Sequence, residues 1–255
     1  MLHVIITGVS QGLGEALAFE LLARGVRVLG VGRTSSQRLA NERYRFLRCD
    51  LAQASMLPAV IEPAFGAIAS EHPSAACLIN NAATIEPIGI LGTTEADHIV
   101  TSVSVNLTAP IVLASLFCRA FRNDDIERRI INVSSGAAQS AIAGEALYCI
   151  AKAGLEMLTR TLAAEQSSPR FRAISLRPGV MDTAMQSQAR TQPQDVLPSV
   201  GLFKGFHADG QLVEPHVVAR KVVDRLVLAP VEQGRTYSYA ELQDSRADAA
   251  VSISR

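Results

Sequence analysis

The sequence carries no surplus of either charge: among its 255 residues, 24 lysines and arginines face 24 aspartates and glutamates. Without a basic stripe, nucleic acid is not an expected partner, and without a polybasic cluster neither is an anionic membrane surface. No apolar run looks long enough to cross a bilayer. Met1 to Gly8 runs directly into strand-like sequence with no positive n-region and no apolar h-region, so no secretory signal is expected. Cysteine is scarce. Cys49, Cys77, Cys118 and Cys149 lie far apart, form no Cys-x-x-Cys pair, and are expected as reduced, mostly buried thiols of a cytoplasmic protein. The five histidines show no ligand spacing, so a metal site is not expected. Internal repeats and an interdomain linker are also absent.

What is present is apolar. Hydrophobic residues make up 48% of the chain, enough for one domain with a substantial core over residues 1–255. His3 to Thr7 reads as a strand, and a glycine-rich turn follows, Gly8-Val9-Ser10-Gln11-Gly12-Leu13-Gly14. A helical stretch then ends at Gly25, and a second strand spans Arg27 to Val31. This βαβ unit suits a pyrophosphate, because glycines admit the backbone closely and a helix start offers free N–H groups. Further strands are expected at 43–49, 76–79, 129–133, 171–176 and 234–239. Helices are expected at 54–70 with an interruption near Pro63, 95–121 with a kink or break at Pro110, 144–166 and 214–228. Strands that are apolar throughout, alternating with helices, imply an α/β fold: a doubly wound, Rossmann-type parallel sheet of about seven strands with helices on both faces. Ligands in such sheets bind beyond the strands' carboxyl ends, where Gly8, Asp50, Asn81, Ser135 and Gly179 all fall.

The chemistry is concentrated between Ile131 and Lys152. Tyr148 and Lys152 at i,i+4 share one helix face, and an ammonium beside a phenol is expected to lower the tyrosine pKa from about 10. Such a phenol can donate or accept a proton. The hydroxyl of Ser135, at the end of an apolar strand, is placed to hold a substrate oxygen. Taken alone, Tyr-x-x-x-Lys is a two-residue pattern that chance supplies readily; its surroundings change the odds. Asp50 also reads as a plain helix N-cap, Asn81 as a turn residue and Asn106 as an exposed helix position. Cys149 reads as a packed thiol.

With these motifs in order, nearly the whole chain resembles the short-chain dehydrogenase/reductase family. Thr7-Gly8-x-x-x-Gly12-x-Gly14 is similar to its cofactor-binding glycine motif. Asn80-Asn81-Ala82 is similar to its Asn-Asn-Ala-Gly motif, with Ala83 in place of glycine. Asn106, Ser135, Tyr148 and Lys152 follow its catalytic tetrad. The resemblance implies an oxidoreductase in which Ser135 and Tyr148 bind the substrate oxygen, Tyr148 gives the proton, Lys152 also holds the nicotinamide ribose, and Asn106 holds a relay water. It implies a nicotinamide cofactor at Gly8, Ser10, Gln11, Gly12, Leu13, Gly14, Asp50, Leu51, Asn81, Ala82, Pro178, Gly179, Val180 and Thr183. Within the family, the stretches around Gly8, Ser135 and Gly179 most resemble the sepiapterin reductase and bacterial benzil reductase branch.

Cofactor choice reads from the end of the second strand. An NAD site carries an acid there for the ribose 2′-hydroxyl. Val31-Gly32-Arg33-Thr34-Ser35 has none; Arg33 can pair with a 2′-phosphate while Thr34 and Ser35 offer hydroxyls, so NADP(H) is expected. Gln11 departs from this pattern, standing where many NADP-dependent relatives carry a basic residue. Residues 184–213 show weak periodicity and are expected as a substrate lid whose Met185, Phe203 and Phe206 wall a flat, two-carbonyl compound. Residues 241–255 read as a polar tail, with Glu241 near the acid that anchors the pterin in sepiapterin reductases. The surplus apolar faces of 95–121 and 146–166, together with the resemblance, lead to a homodimer or homotetramer. Two alternatives stand beside the reductase: an alcohol dehydrogenase working oxidatively, and a non-catalytic NADP-binding sensor or scaffold. Loss of Tyr or Lys would mark the latter, and neither is lost.

Overall fold

The computed structural model describes residues 1–243. β1 (Leu2–Thr7) passes through the glycine turn into α1 (Gly12–Ala23), and β2 (Arg27–Gly32) returns beside it. Then come β3 (Tyr44–Arg48), α2 (Leu57–Ser70) and β4 (Ala75–Asn80). α3 (Ala96–Val103) and α4 (Ala109–Ala120) follow, joined by a π-helical turn at Ser104–Thr108. β5 (Glu127–Val133), α5 (Ala146–Glu165) and β6 (Phe171–Arg177) complete the centre. α6 (Ala184–Arg190), α7 (Val200–Ala208), α8 (Pro215–Val222), β7 (Thr236–Ser238) and α9 (Tyr239–Gln243) finish the described chain.

The seven strands form one sheet in the order β3-β2-β1-β4-β5-β6-β7, every pair parallel. Successive side chains of a strand point to opposite faces, and both faces here are covered. Val4 and Ile6 of β1 pack under α1 and α8, with Leu17, Leu21 and Val222. Ile5 packs on the other side under α2 and α4, with Phe65, Phe117 and Phe121. The last three rings touch, with centroids 4.8 to 6.2 Å apart.

Three local expectations are corrected, and one is met in an unforeseen form. α2 runs unbroken through Pro63. Pro63 and Ala59, whose carbonyl the ring displaces, both face solvent, so water takes the freed acceptor. Pro110 marks the expected break in α geometry: α3 gives way to a π-helical turn with an extra residue, where the Ala109 N–H reaches back five residues to Ser104 O before α4 begins. Residues 96–120 still form one helical stretch of 25 residues at hydropathy 1.8, long and apolar enough by length and composition to span a bilayer. That overturns the reading that no run reaches such a length, although its Leu113, Leu116 and Phe117 are buried against the sheet. The polar tail does not begin at 241: residues 241–243 belong to α9, and Leu242 is buried in the core. Residues 244–255 of that tail lie outside the described residues.

Candidate active site

β1 and β4 are neighbours whose outgoing connections leave for opposite sides of the sheet, which opens a crevice at their carboxyl ends. A cleft of 1420 Å³ occupies this position. Gly8 (φ 73°) and Gly12 (φ 62°) take left-handed conformations that bring the backbone to its floor. Gly14 has no alternative: a Cβ there would lie 2.0 Å from Gly8 O and 2.4 Å from the Asn81 amide nitrogen. Asn81 Nδ2 uses that space to donate to Thr7 O (2.9 Å) and Gly8 O (3.1 Å). Thr7 Oγ1 accepts from the N–H groups of Asn81 and Ala82 at 3.0 and 2.9 Å. β1 and β4 are thus tied together under the glycine turn, and the start of α1 faces open space. These features fit a dinucleotide pyrophosphate. Thr7 stands in the glycine motif, but this tie to β4 was not foreseen; a hydroxyl in the last position of a buried strand was its signal.

Gly8, Ser10, Gln11, Gly12, Leu13, Asp50, Leu51 and Ala82 all line the cleft. Asp50 Oδ1 also accepts from Ala52 N–H at 3.1 Å, a turn contact; it caps no helix, since the helical residues that follow start at Ala54 and Leu57 with Gln53 and Met56 at their N-caps. Arg33 and Thr34 are exposed on the cleft wall, and Arg33 has no partner among the described residues. Ser35 is different: its hydroxyl bonds Tyr44 (2.7 Å). The sequence reading missed Arg38, which shares this wall and lies 3.7 Å from Glu15.

At the other end, α5 carries Tyr148 and Lys152 into the cleft. Lys152 is buried, its Nζ donates to Val133 O at 2.7 Å and sits 5.3 Å from the centre of the Tyr148 ring. Burial lowers the lysine to about 8. The Tyr148 pKa moves opposite to expectation. Burial pushes it up, Glu145 pushes it further, and the hydrogen bond with Ser135 only partly offsets them. Desolvation is the largest cause, since burial disfavours the phenolate. The Ser135 hydroxyl lies beside the cleft wall of Val133 and Ser134, where it also accepts from Ala137 N–H at 3.2 Å.

Asn106 is buried inside the π-helical turn. Its Oδ1 accepts from Thr84 N–H (2.8 Å), and its Nδ2 donates to Thr84 O (2.8 Å) and Ser102 Oγ (3.4 Å). The Asn106 side chain thus fixes Thr84, a cleft residue. Beneath α5, Ser134 Oγ donates to Glu156 at 2.8 Å, and Arg177 grips the same carboxylate at 2.6 and 2.7 Å. Glu145 was also missed. It is 3% exposed, its Oε1 has no partner, and burial raises its carboxyl to about 7. Its signal was an acid three residues before Tyr148.

The substrate side is mixed. Pro178, Thr183 and Met185 line the cleft, whereas Gly179 and Val180 face a separate small groove. The expected lid holds α6 and α7. Phe203 packs with Ile85, Leu197 and Val200, and neither it nor Phe206 lines the cleft. Glu241 is directed elsewhere: its carboxylate accepts from Ser238 N–H and hydroxyl at 2.6 and 2.7 Å and pairs with Arg235 at 3.1 Å, away from the cleft lining.

Comparison with known proteins bears on this arrangement. The family model for short chain dehydrogenases matches residues 2–194. A benzil reductase ((S)-benzoin forming) from Bacillus cereus is 33% identical over 242 residues, covering 92% of this chain and 97% of its own. A sepiapterin reductase from Xenopus tropicalis is 31% identical over 239 residues, covering 87% of this chain and 90% of its own. The crystal structure of the KRED1-Pglu enzyme matches with TM-score 0.80 at 26% identity, across 93% of this chain and 100% of that one.

Proposed function

The chain belongs to the short chain dehydrogenase family, and on that premise we propose that it is an NADPH-dependent reductase of flat ketones and α-diketones with Tyr148 as proton donor. It is an oxidoreductase of carbonyl or hydroxyl groups that takes a nicotinamide cofactor, as its family does. The observation that carries the finer reading is the placing of the Tyr148 phenol in the cleft, hydrogen-bonded with Ser135 and with the Lys152 ammonium 5.3 Å from its ring. A protonated phenol suits the reductive direction, in which a proton must be given. Ser135 and Tyr148 hydrogen-bond the substrate oxygen, and the Tyr148 proton passes to the developing alkoxide. The Lys152 ammonium then faces the phenolate left behind. When bound, the nicotinamide supplies the hydride.

NADPH is supported by Arg33, unpaired on the cleft wall, by Arg38 beside it, and by the lack of an acid at the end of β2. Among two-carbonyl substrates, a neutral aromatic diketone fits better than a pterin, because Glu241 is already engaged by Arg235 and Ser238. The benzil reductase relative supports the same choice. We further propose a homo-oligomer through α3–α4 and α5, where Val100 (63% exposed), Ile111 (43%), Ile150 (57%) and Met157 (53%) stand on the surface. All four cysteines are free, which fits a reducing compartment such as the cytoplasm.

The test is a carbonyl panel assayed with NADPH and NADH: benzil, sepiapterin, a quinone, an aldehyde and a steroid ketone. Benzil with NADPH is the expected best pair, and Glu241→Ala leaves it unchanged. If only simple aldehydes are reduced, the substrate class is wrong.

A further inference from the structure

Glu145 is the N-cap of α5, three residues before Tyr148, with its backbone outside helical geometry (φ −125°, ψ 33°). It is a buried acid with no hydrogen-bond or ion-pair partner among the described residues. Such a group costs stability, and Gln or Met would fill the same volume without that cost. We propose that Glu145 is a positioning residue for the proton step: its carboxylate opposes formation of the Tyr148 phenolate, and so moves to higher pH the point at which alcohol oxidation sets in. The inference rests on Tyr148 being the proton-transfer group.

The proton balance is simple. In reduction, the phenol O–H breaks and its proton bonds to the alkoxide oxygen. In oxidation, the alcohol O–H breaks and its proton bonds to the phenolate oxygen. A carboxylate close by destabilises the phenolate that oxidation requires and leaves the phenol that reduction requires.

No neighbour cancels that charge. On its own helix, Tyr148 and Cys149 both feel it, while Lys152, two turns on, is engaged with Val133 O. Two segments pack over the start of α5. Gly89 N–H bonds Gly144 O at 2.9 Å, Leu197 and Pro198 press on Gly144, and Ser199 Oγ bonds Ala143 O at 3.0 Å. The titratable and charged groups on these segments, on and just before α6, and on α3, which also packs against α5, are Glu86, Asp97, His98, Asp182, Arg190 and Asp195. Glu86 bonds Gln188, and Arg190 bonds Gln186 with Asp182 at 3.8 Å. Burial is the one influence that displaces the Glu145 carboxyl.

The test compares pH profiles of benzoin oxidation with NADP⁺ for wild type, Glu145→Gln and Glu145→Asp. The alkaline limb of Glu145→Gln is expected to move down by about one pH unit, while Glu145→Asp, still an acid, stays close to wild type. Coincident limbs for wild type and Glu145→Gln overturn the proposal while leaving the reductase reading intact. If Glu145→Gln does not fold, Glu145→Met removes the same charge. A second readout needs no substrate: the difference in melting temperature between wild type and the uncharged variant must grow from about pH 5 to about pH 8. A constant difference means that the Glu145 carboxyl titrates in the folded protein as it does in the unfolded chain, so that no buried charge is held beside Tyr148, which also overturns the proposal. No benzil turnover by the wild type at all counts against the reductase reading instead.

Discussion

Glu145 and Arg33 show how much depends on single charges. The Glu145 carboxyl rises from an ordinary 4.5 to about 7 in the folded protein. Below about pH 4.5 both folded and unfolded forms are protonated, and the group costs nothing. As pH rises, the unfolded chain gives up its proton first, so stability falls; above about pH 7 the full cost is present, on the order of 3 kcal/mol. Glu145→Gln is therefore expected to stabilise the protein at about pH 8 and to lose that advantage near pH 4.5, as read by denaturant unfolding at the two values. Arg33 acts on the cofactor. If it pairs with a 2′-phosphate, Arg33→Ala loses a charged hydrogen bond of about 1.5–3 kcal/mol, a rise of roughly tenfold or more in the KM for NADPH, with NADH hardly affected. Equal changes for both cofactors would contradict that assignment. Arg33 was legible because the end of β2 contains no acid, whereas Arg38 was not: it comes from the following loop, and only folding brings it to the same wall.

The glycine turn and the helix beneath the sheet set the demands on elements. Gly14→Ala puts a methyl group into Gly8 O and the Asn81 amide, neither of which can yield without parting β1 from β4. This variant is expected to lose cofactor binding, by fluorescence titration with NADPH, and to melt earlier than wild type; unchanged binding would contradict the tight packing described. On α4, Phe117 is completely buried against Phe65 and Phe121. Phe117→Ala is expected to cost about 3–5 kcal/mol in denaturant unfolding, and a loss under 1 kcal/mol would indicate a core that collapses around the gap. At this scale, regular periodicity made β1, α1 and α5 readable to within a few residues. Three things escaped it. The turn before Pro110 depends on where a proline ring meets a carbonyl one turn back. α6 and α7 are short helices, and Gly201 and Gly205 weaken the pattern of α7. The direction of the Tyr148 shift depends on burial, which the Tyr-x-x-x-Lys spacing does not report.

For the whole molecule, the parallel sheet covered on both faces and the edge on which the cleft lies followed from apolar strands alternating with helices, because that pattern admits few topologies. The partners of Glu241 and Asn106 did not, since they are set by contacts between segments far apart in sequence or by a local turn. The exposed apolar residues of α3–α4 and α5 predict a mass of at least two chains by light scattering at micromolar concentration; a one-chain mass would contradict the proposed oligomer. The claim on which the account turns is that Tyr148 gives its proton to a carbonyl oxygen. Its most direct test is benzil-dependent NADPH oxidation by wild type and Tyr148→Phe, which keeps the ring and removes the proton. The account predicts turnover by the wild type and a loss of about 10²-fold or more in kcat for the variant, with NADPH still bound. A Tyr148→Phe enzyme that turns over like the wild type would contradict it.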